Sequence, residues 1–444
     1  MPPVALAAVR ASQSRRRPGD VVALRYDVTD KRSASRWCTG SQGEYMSTVA
    51  NRTSSLNAAK AAKNDEFYTQ WADIEREMNA YLEYDPDVFR DKVVLLPCDD
   101  PEWSNFAKFF ALHFVDFGLK KLISTSYAPD SNPAVFSYEP TLFELDDPKF
   151  DATKTHANGK KFILERKDVN NDGVINIDDL QWEYLEGDGD FRSAEVTALR
   201  DEADIVITNP PFSLFRAFIG WLVEGGKTFS VIGNSNATTY VEVFPLIQQN
   251  KLWKGATANN TDMVFGVPKG ASIKESDRLK AERLGYPSTD EHDFTRLGNA
   301  CWFTNIDHGR RHEPLQLMTM DDNIKYSKHK DVRGVGYQRY YNFPEAIEVP
   351  WVDSIPSDFD GVMGVPITFL DKYNPDQFEI LAHGDDMDAL RQLGVQTLGA
   401  EFVKTYYDQG GTGGNSAGHR RLGLTEPTYH TAYKRILIRR KDAS

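Results

Sequence analysis

The stretch Ala203–Arg216, ADIVITNPPFSLFR, decides how the chain is read. A short strand-like run, Ile205-Val206-Ile207-Thr208, stops at Asn209-Pro210-Pro211-Phe212 and gives way to the helical pattern LFRAFIGWLVEGG. Working outward, KVVLLPCDD (Lys92–Asp100), LKKLISTSY and KTFSVIGNS (Lys227–Ser235) are further short apolar runs of the kind buried on both faces of a sheet. Between them lie helical patterns: one follows DEFYT, with Trp71, Ile74, Met78, Tyr81 and Leu82 at helical spacing, and one spans Phe106–Gly118. Strand alternating with helix predicts an α/β fold with a doubly wound parallel sheet. In such sheets ligands bind beyond the carboxyl ends of the strands, where Asp99, Asp100, Tyr127, Asn209 and Asn234 fall.

The Asn-Pro-Pro-Phe corner suits one chemical task. A planar NH2 group conjugated to a ring or carbonyl has a delocalised lone pair and is a poor nucleophile. Two acceptors placed on its N–H groups draw the nitrogen toward tetrahedral geometry and localise that pair. The Asn209 side-chain oxygen offers one acceptor and the Pro210 carbonyl the second. Pro211 restricts the residue before it, so the corner is stiff and preorganised. Phe212 offers a face on which a flat base can stack. Corners of the NPP-[FY] type are similar in methyltransferases acting on adenine in DNA, on bases in RNA and on protein glutamine amides, so the acceptor stays open at this point. All of these share the donor S-adenosylmethionine.

Three segments are candidates for holding that donor. PCDDPEWSNF (Pro97–Phe106) places Asp99 or Asp100 at a strand end, and Ser104–Asn105 can cap the next helix. The Gly-x-Gly loop expected at such an end is missing here. EGDGDF (Glu186–Phe191) offers Asp190 to an adenine amino group and Phe191 to its ring, with Gly187 and Gly189 allowing a tight turn. DEFYTQ (Asp65–Gln70) supplies Phe67 and Tyr68 as pocket lining and Thr69 as a helix cap. Each also has a plainer reading as a cap or polar turn.

Asp168–Asp179, DVNNDGVINIDD, has Asp168, Asn170, Asp172, Gly173 and Asn176 at positions 1, 3, 5, 6 and 9 of a twelve-residue calcium loop, and Asp179 at position 12. Asp in place of the bidentate Glu weakens it, and KKFILER before it reads as a strand rather than a helix. The alternatives are a structural calcium ion and an Asp/Asn/Gly-rich hairpin turn.

Bulk properties bound the rest. With 444 residues, 40% of them hydrophobic, the chain can bury a large core, and no run approaches the roughly 20 apolar residues of a membrane span. Cys38, Cys98 and Cys301 are scattered without a CxxC, which points to a reducing cytoplasm and to neither a disulfide framework nor a zinc site. A net charge of −13 argues mildly against nucleic acid, but binding needs only a local basic surface. Residues 1–62 read as a disordered or mis-called N-terminal extension with the native start at Met46; a genuine basic arm is the alternative.

These segments together resemble the EcoRI-type adenine-specific DNA methyltransferase family. The resemblance rests on KNDEFYTQ, CDDPEWSNFAKFFALHF, FGLKKLI, GDGDFRS, DIVITNPPFSLFR, VFPLIQQNKLW, NACWFTNID and GVMGVPITFLDKYNPDQFEI, with an echo in YKRILIRRK. It implies a Rossmann-like S-adenosylmethionine-dependent core, a mostly parallel twisted sheet with helices on both faces, and an irregular α+β C-terminal target-recognition region. It also implies methyl transfer to N6 of a flipped-out adenine in a specific double-stranded DNA site. By position, Asn209, Pro210, Pro211 and Phe212 are the catalytic corner, and Phe67, Tyr68, Thr69, Asp99, Asp100, Asp190 and Phe191 the donor contacts. The catalytic core is expected over 63–255, with its remainder and target recognition over 256–444. There Arg310, Arg311, Arg333, Arg339, Lys372, His419, Arg420 and Arg421 are candidate DNA contacts, each also readable as a solvated surface charge. The expected setting is a monomer in the bacterial cytoplasm, associated with the nucleoid. It works alone or beside a cognate restriction endonuclease, without a stable complex. An RNA base methyltransferase and a catalytically silent DNA-binding homologue are the rival readings.

Overall fold

The computed structural model describes residues 68–101, 104–128, 147–257, 262–290, 292–412 and 421–441. Phe67, His419 and Arg420 lie outside the described residues, as does the N-terminal extension. In chain order the first elements are strand β1 (Tyr68–Thr69), helix α1 (Trp71–Tyr84), β2 (Val93–Leu96), helix α2 (Asn105–Leu112), β3 (Lys121–Thr125), β4 (Lys160–Glu165) and β5 (Gln181–Tyr184). Helix α3 (Ala194–Glu202), β6 (Ile205–Thr208), helix α4 (Phe215–Glu224), β7 (Thr228–Asn234) and β8 (Trp253–Lys254) follow, then β9 (Met263–Pro268), β10 (His292–Leu297) and β11 (Ala300–Thr304).

The four runs picked out in the sequence form the centre of an eight-stranded sheet of order β5-β4-β3-β2-β6-β7-β11-β8. Pairings β2–β3, β2–β6 and β6–β7 are parallel. The outer pairings, β3–β4, β4–β5, β7–β11 and β8–β11, are antiparallel, so the sheet is mixed rather than mostly parallel. The reason is local: β4 and β5 flank the Asp168–Asp179 turn as a hairpin, and β11 returns after the β9–β10 excursion to lie antiparallel between β7 and the edge strand β8.

Why the central runs are apolar without alternation is visible in their two-sided burial. Val93 and Leu95 of β2 pack with Val196 and Leu199 of α3 and with Phe218, Ile219 and Leu222 of α4. Val94 and Leu96 point the other way, into Ile74 and Met78 of α1 and Phe106, Phe109 and Phe110 of α2. Each such side chain contributes about 1.5–3 kcal/mol on burial, so a polar residue in either set is strongly disfavoured. The helix expected to run to Gly118 stops at Leu112. Turns carry the chain on to Gly118, whose φ of +64° closes the segment.

Beyond the large sheet, β1, β9 and β10 make a three-stranded antiparallel sheet. A five-stranded sheet follows, of order β12 (Arg339–Tyr340), β13 (Phe343–Glu348), β14 (Met363–Pro366), Arg435–Arg440 and Phe378–His383. Its apolar faces include Ile347, Met363, Val365, Ile380, Ile436 and Ile438, which join the same core as α3 and α4. Among the described residues no helix is long and apolar enough to cross a membrane.

Candidate active site

Strand β6 ends at Thr208, and the corner follows: Asn209, Pro210 and Pro211, then a single 3-10 turn over Phe212–Leu214 before α4 begins. Pro211 holds φ −52° and ψ 122°, and its carbonyl accepts from the Leu214 amide at 2.9 Å. Pro210 is buried and the Asn209 carboxamide oxygen is shielded from solvent. The Phe212 ring meets Phe265 edge-on, with centroids 6.4 Å apart and planes at 87°. Phe265 is on β9, in register with Thr69 of β1, so the Tyr68–Thr69 strand and the corner converge through β9.

At the neighbouring end of β2 the two candidate acids separate. Asp99 is 6% exposed, and both its carboxyl oxygens are taken. The Ser104 hydroxyl donates to Oδ1 at 2.6 Å, and the Thr208 hydroxyl lies 2.6 Å from Oδ2. The Ser124 hydroxyl at the end of β3 bonds to the Asp99 carbonyl. Burial pushes the Asp99 carboxyl up to about 7, against the opposing pull of its Ser104 and Thr208 hydrogen bonds. Asp100 is half-buried, and its carbonyl accepts the Ser104 amide at 2.7 Å. Ser104 caps α2 by accepting from the Phe106 amide at 3.0 Å, as its position predicts, and the Asn105 side chain donates to the Thr69 carbonyl at 2.7 Å.

The GDGDF turn lies against the end of β3. The Ala128 amide donates to the Asp188 carbonyl at 2.8 Å and the Gly159 amide to the Gly187 carbonyl at 2.9 Å. Asp190 is paired with Arg192, whose Nε donates to its Oδ1 at 2.9 Å; this partner holds its carboxyl below the usual carboxylate range. Phe191 is 2% exposed and packs in the core against Phe218 (4.9 Å between centroids) and Trp221 (5.6 Å). Burial pushes the Tyr127 hydroxyl up to about 12, with Asp188 and Asp190 adding to the effect. Burial also raises the Cys98 thiol, and the charges of Asp99 and Asp190 raise it further, so the two acidic strand ends are neighbours.

The absent Gly-x-Gly after β2 has a counterpart in this turn. Gly189 has φ +85°, and a Cβ there would fall far inside contact distance of the Ser126 carbonyl oxygen. Gly187 has open space around it. Gly189→Ala is therefore expected to lower the thermal midpoint by the equivalent of about 1–3 kcal/mol, and Gly187→Ala to leave it within a degree or so. Equal midpoints for the two variants in differential scanning fluorimetry would contradict this.

Comparison with known proteins shows the family to which the chain belongs. The profile of the family described as "Adenine-specific methyltransferase EcoRI" matches residues 55–441. The chain belongs to the EcoRI adenine-specific methyltransferase family. It is 38% identical over 336 residues to the Type II methyltransferase M.EcoRI of Escherichia coli, covering 75% of this chain and 90% of that one. It is 35% identical over 326 residues to M.MpnI of Mycoplasma pneumoniae, covering 73% and 84%. A third relative, M.MgeORF184P of Mycoplasma genitalium, is 33% identical over 326 residues, covering 73% and 85%. No solved structure matches the chain significantly. The protein is accordingly an adenine-specific DNA methyltransferase.

The methyltransferase carries its candidate DNA residues in unlike settings. Arg310 is exposed, with Nη1 donating to the Ala256 carbonyl at 2.8 Å. Arg311 is 7% exposed, lies over the Trp253 ring at 3.6 Å and bonds to Asp307 and Asn250, so its guanidinium is engaged in holding the fold. Arg333, Arg339 and Lys372 are exposed, and Arg421 is half-buried. In the Asp168–Asp179 loop the carboxylates turn onto backbone amides: Asp168 accepts from Gly173 at 2.8 Å, and Asp179 from Val169 at 2.7 Å and Asn176 at 3.1 Å. Asn170 accepts from the Asp172 amide and Asp172 from the Val174 amide. Among the described residues no three His, Cys, Asp or Glu side chains converge as a metal site.

Two residues escaped the sequence reading. Glu77 of α1 is fully buried, and its carboxylate gathers the Tyr81 hydroxyl at 2.6 Å, the Ala256 and Thr257 amides at 2.8 and 2.7 Å and the Thr257 hydroxyl. Thr208 is the other, a polar residue closing an otherwise apolar strand. That polar ending was the available signal.

Proposed function

We propose that the methyltransferase transfers a methyl group to the exocyclic N6 of an adenine flipped out of a specific double-stranded DNA site, with S-adenosylmethionine as donor. The observation that carries this reading is the Asn209–Phe212 corner at the carboxyl end of β6, beside the β2 end and the 186–191 turn. Asn209 Oδ1 and the Pro210 carbonyl accept from the two N–H groups of the adenine amine, and Phe212 stacks on the base. In that arrangement the localised lone pair would bond to the donor's methyl carbon as the methyl–sulfur bond breaks and its electron pair returns to sulfur as a neutral thioether, and the methylated amine would release one N–H proton to solvent.

The residues present fit the donor. Among the described residues the buried Thr69 hydroxyl oxygen has no hydrogen-bond partner, which leaves it available to a ligand. Thr69, Tyr68, Asp100, Asp190 and, outside the described residues, Phe67 are the side chains that would hold it. When bound, S-adenosylmethionine supplies an electrophilic methyl group on a sulfonium. Four parallel strands with helices on both faces support a Rossmann-like core. Target recognition falls to the chain after residue 255, with Arg310, Arg333, Arg339 and Arg421 on phosphates or base edges. The enzyme acts as a cytoplasmic monomer, with or without a cognate endonuclease. Melting with and without calcium separates the two readings of the Asp168–Asp179 loop, an unchanged midpoint marking it as a turn held by its own carboxylate–amide bonds.

Methylome sequencing of DNA from cells expressing the protein, beside an Asn209→Ala control, tests the function. N6-methyladenine at one recurrent motif, absent from the control, is expected. No N6-methyladenine, or equal amounts in both, would sink the reading.

A further inference from the structure

Strands β2 and β6 are in register only at Val94–Ile205 and Leu95–Val206. Beyond that point, before the corner, side chains make the connection. The Thr208 hydroxyl oxygen lies 2.6 Å from the Pro97 carbonyl and 2.6 Å from Asp99 Oδ2. A hydroxyl has one proton to give. The Pro97 carbonyl can only accept, so when Thr208 donates to it, the second short contact needs a proton from Asp99. On the other side, Ser104 donates to Asp99 Oδ1 while its oxygen accepts from the Phe106 amide. With the single Thr208 proton on the Pro97 carbonyl, Asp99 has one oxygen accepting and one donating, the pattern of a carboxylic acid rather than of a carboxylate. Among the described residues no Lys, Arg or His pairs with Asp99. Asp100, next to it in the chain, disfavours a negative charge at Asp99, and the neighbouring Cys98 thiol is itself held neutral by burial and by the charges of Asp99 and Asp190.

We infer that Asp99 is a positioning residue: as a neutral acid it ties Thr208, and through it the adjoining Asn209 corner, to the end of β2. The inference rests on the reading of Asn209 as an acceptor for the adenine amine. It removes Asp99 from the donor's ligands and leaves that place to Asp100. Asp99 touches no reacting atom; it sets where the Asn209 oxygen stands relative to the β2 end, the donor side of the site.

Steady-state kinetics on full-length variants tests this. Asp99→Ala is expected to lower kcat about 10- to 100-fold, the worth of one or two buried hydrogen bonds, while KM for S-adenosylmethionine moves less than about threefold. Asp99→Asn should restore kcat to within about threefold of wild type, because its amide accepts from Ser104 and donates to Thr208. Thr208→Val should reproduce the alanine defect and Thr208→Ser should not. If Asp99→Asn is as impaired as Asp99→Ala, or raises KM for S-adenosylmethionine tenfold, Asp99 is a charged donor ligand and the inference is overturned.

Melting against pH decides the same point without activity, should the Asn209 reading fail. Asp99 keeps its proton up to about 7 in the fold, against an ordinary value of 3.8 in the unfolded chain. The native state therefore holds more protons between those values, and stability falls as pH rises from about 4 to about 7, then levels. The melting temperature of Asp99→Asn minus that of wild type should climb across that window and flatten above it. A difference constant from pH 4 to 8 would overturn the neutral acid.

Discussion

Asn209→Ala is expected to lower kcat about 10²- to 10³-fold while KM for DNA and for S-adenosylmethionine changes little. The magnitude is that of removing one preorganised hydrogen-bonding group from a transition state, about 2.7–4 kcal/mol. The sign follows from where charge develops. In the ground state the adenine amine is planar and its N–H groups are weak donors. As the nitrogen attacks, positive charge builds on it and those N–H groups donate strongly, so the lost acceptor is missed most at the transition state. Asn209 sits in a corner closed by Pro210 and Pro211 and pinned by the Pro211–Leu214 hydrogen bond, so no neighbouring group swings in to replace it. Asn209→Asp is a useful companion, because it keeps an acceptor but introduces a charge into a solvent-shielded position. Its activity should fall between the two. Single-turnover assays with a substrate oligonucleotide measure this directly, and an alanine variant within threefold of wild type would remove Asn209 from the mechanism.

The largest stability effect is expected at Glu77. Replacing it by alanine leaves the Ala256 and Thr257 amides and the Thr257 hydroxyl buried or half-buried without their acceptor. Unsatisfied buried donors cost about 1–3 kcal/mol each, so a loss of about 3–5 kcal/mol is expected after partial relaxation. Burial pushes the Glu77 carboxyl above its ordinary value, while the Thr257, Tyr81 and Ala256 donors pull it back. Glu77→Gln keeps the shape but turns an N–H toward Thr257, which already presents two donors, so it should fall between wild type and alanine. Gly255 records how close this fit is: a Cβ there would run into the Glu77 carboxylate and the Trp302 side chain. The loop so clamped precedes β9, whose Phe265 borders Phe212. Thermal unfolding with and without S-adenosylmethionine reads the effect. A Glu77→Ala midpoint indistinguishable from wild type would mean that the loop finds other partners.

Much of the eight-stranded sheet could be read from the sequence because its signals are local. VVLL, KLIST, IVIT and TFSVIGN are strands because each is short, apolar and bounded by polar or turn-forming residues. Ser104 as a cap follows from one hydroxyl before a helical run. The outer strands were harder to place. Whether a strand joins a sheet parallel or antiparallel depends on the path of the connection, not on the strand's own residues. The site divided in the same way. Asp99 and Asp100 are identical in type and adjacent, and nothing local separates them. Phe191 reads as a ring available to a ligand until Phe218 and Trp221 are seen against it. Arg311 reads as a surface cation until Trp253 is found beneath it.

By itself the sequence determined the central strands, the helices on their two faces and the Asn209–Phe212 corner, since apolar continuity and paired prolines act over a few residues. Only the tertiary structure decided what those residues do. Glu77 meets Ala256 and Thr257, and Asp99 meets Thr208, across separations of 179, 180 and 109 residues. A buried carboxyl takes its protonation state from the groups around it, and those are assembled only when distant strand ends are brought side by side.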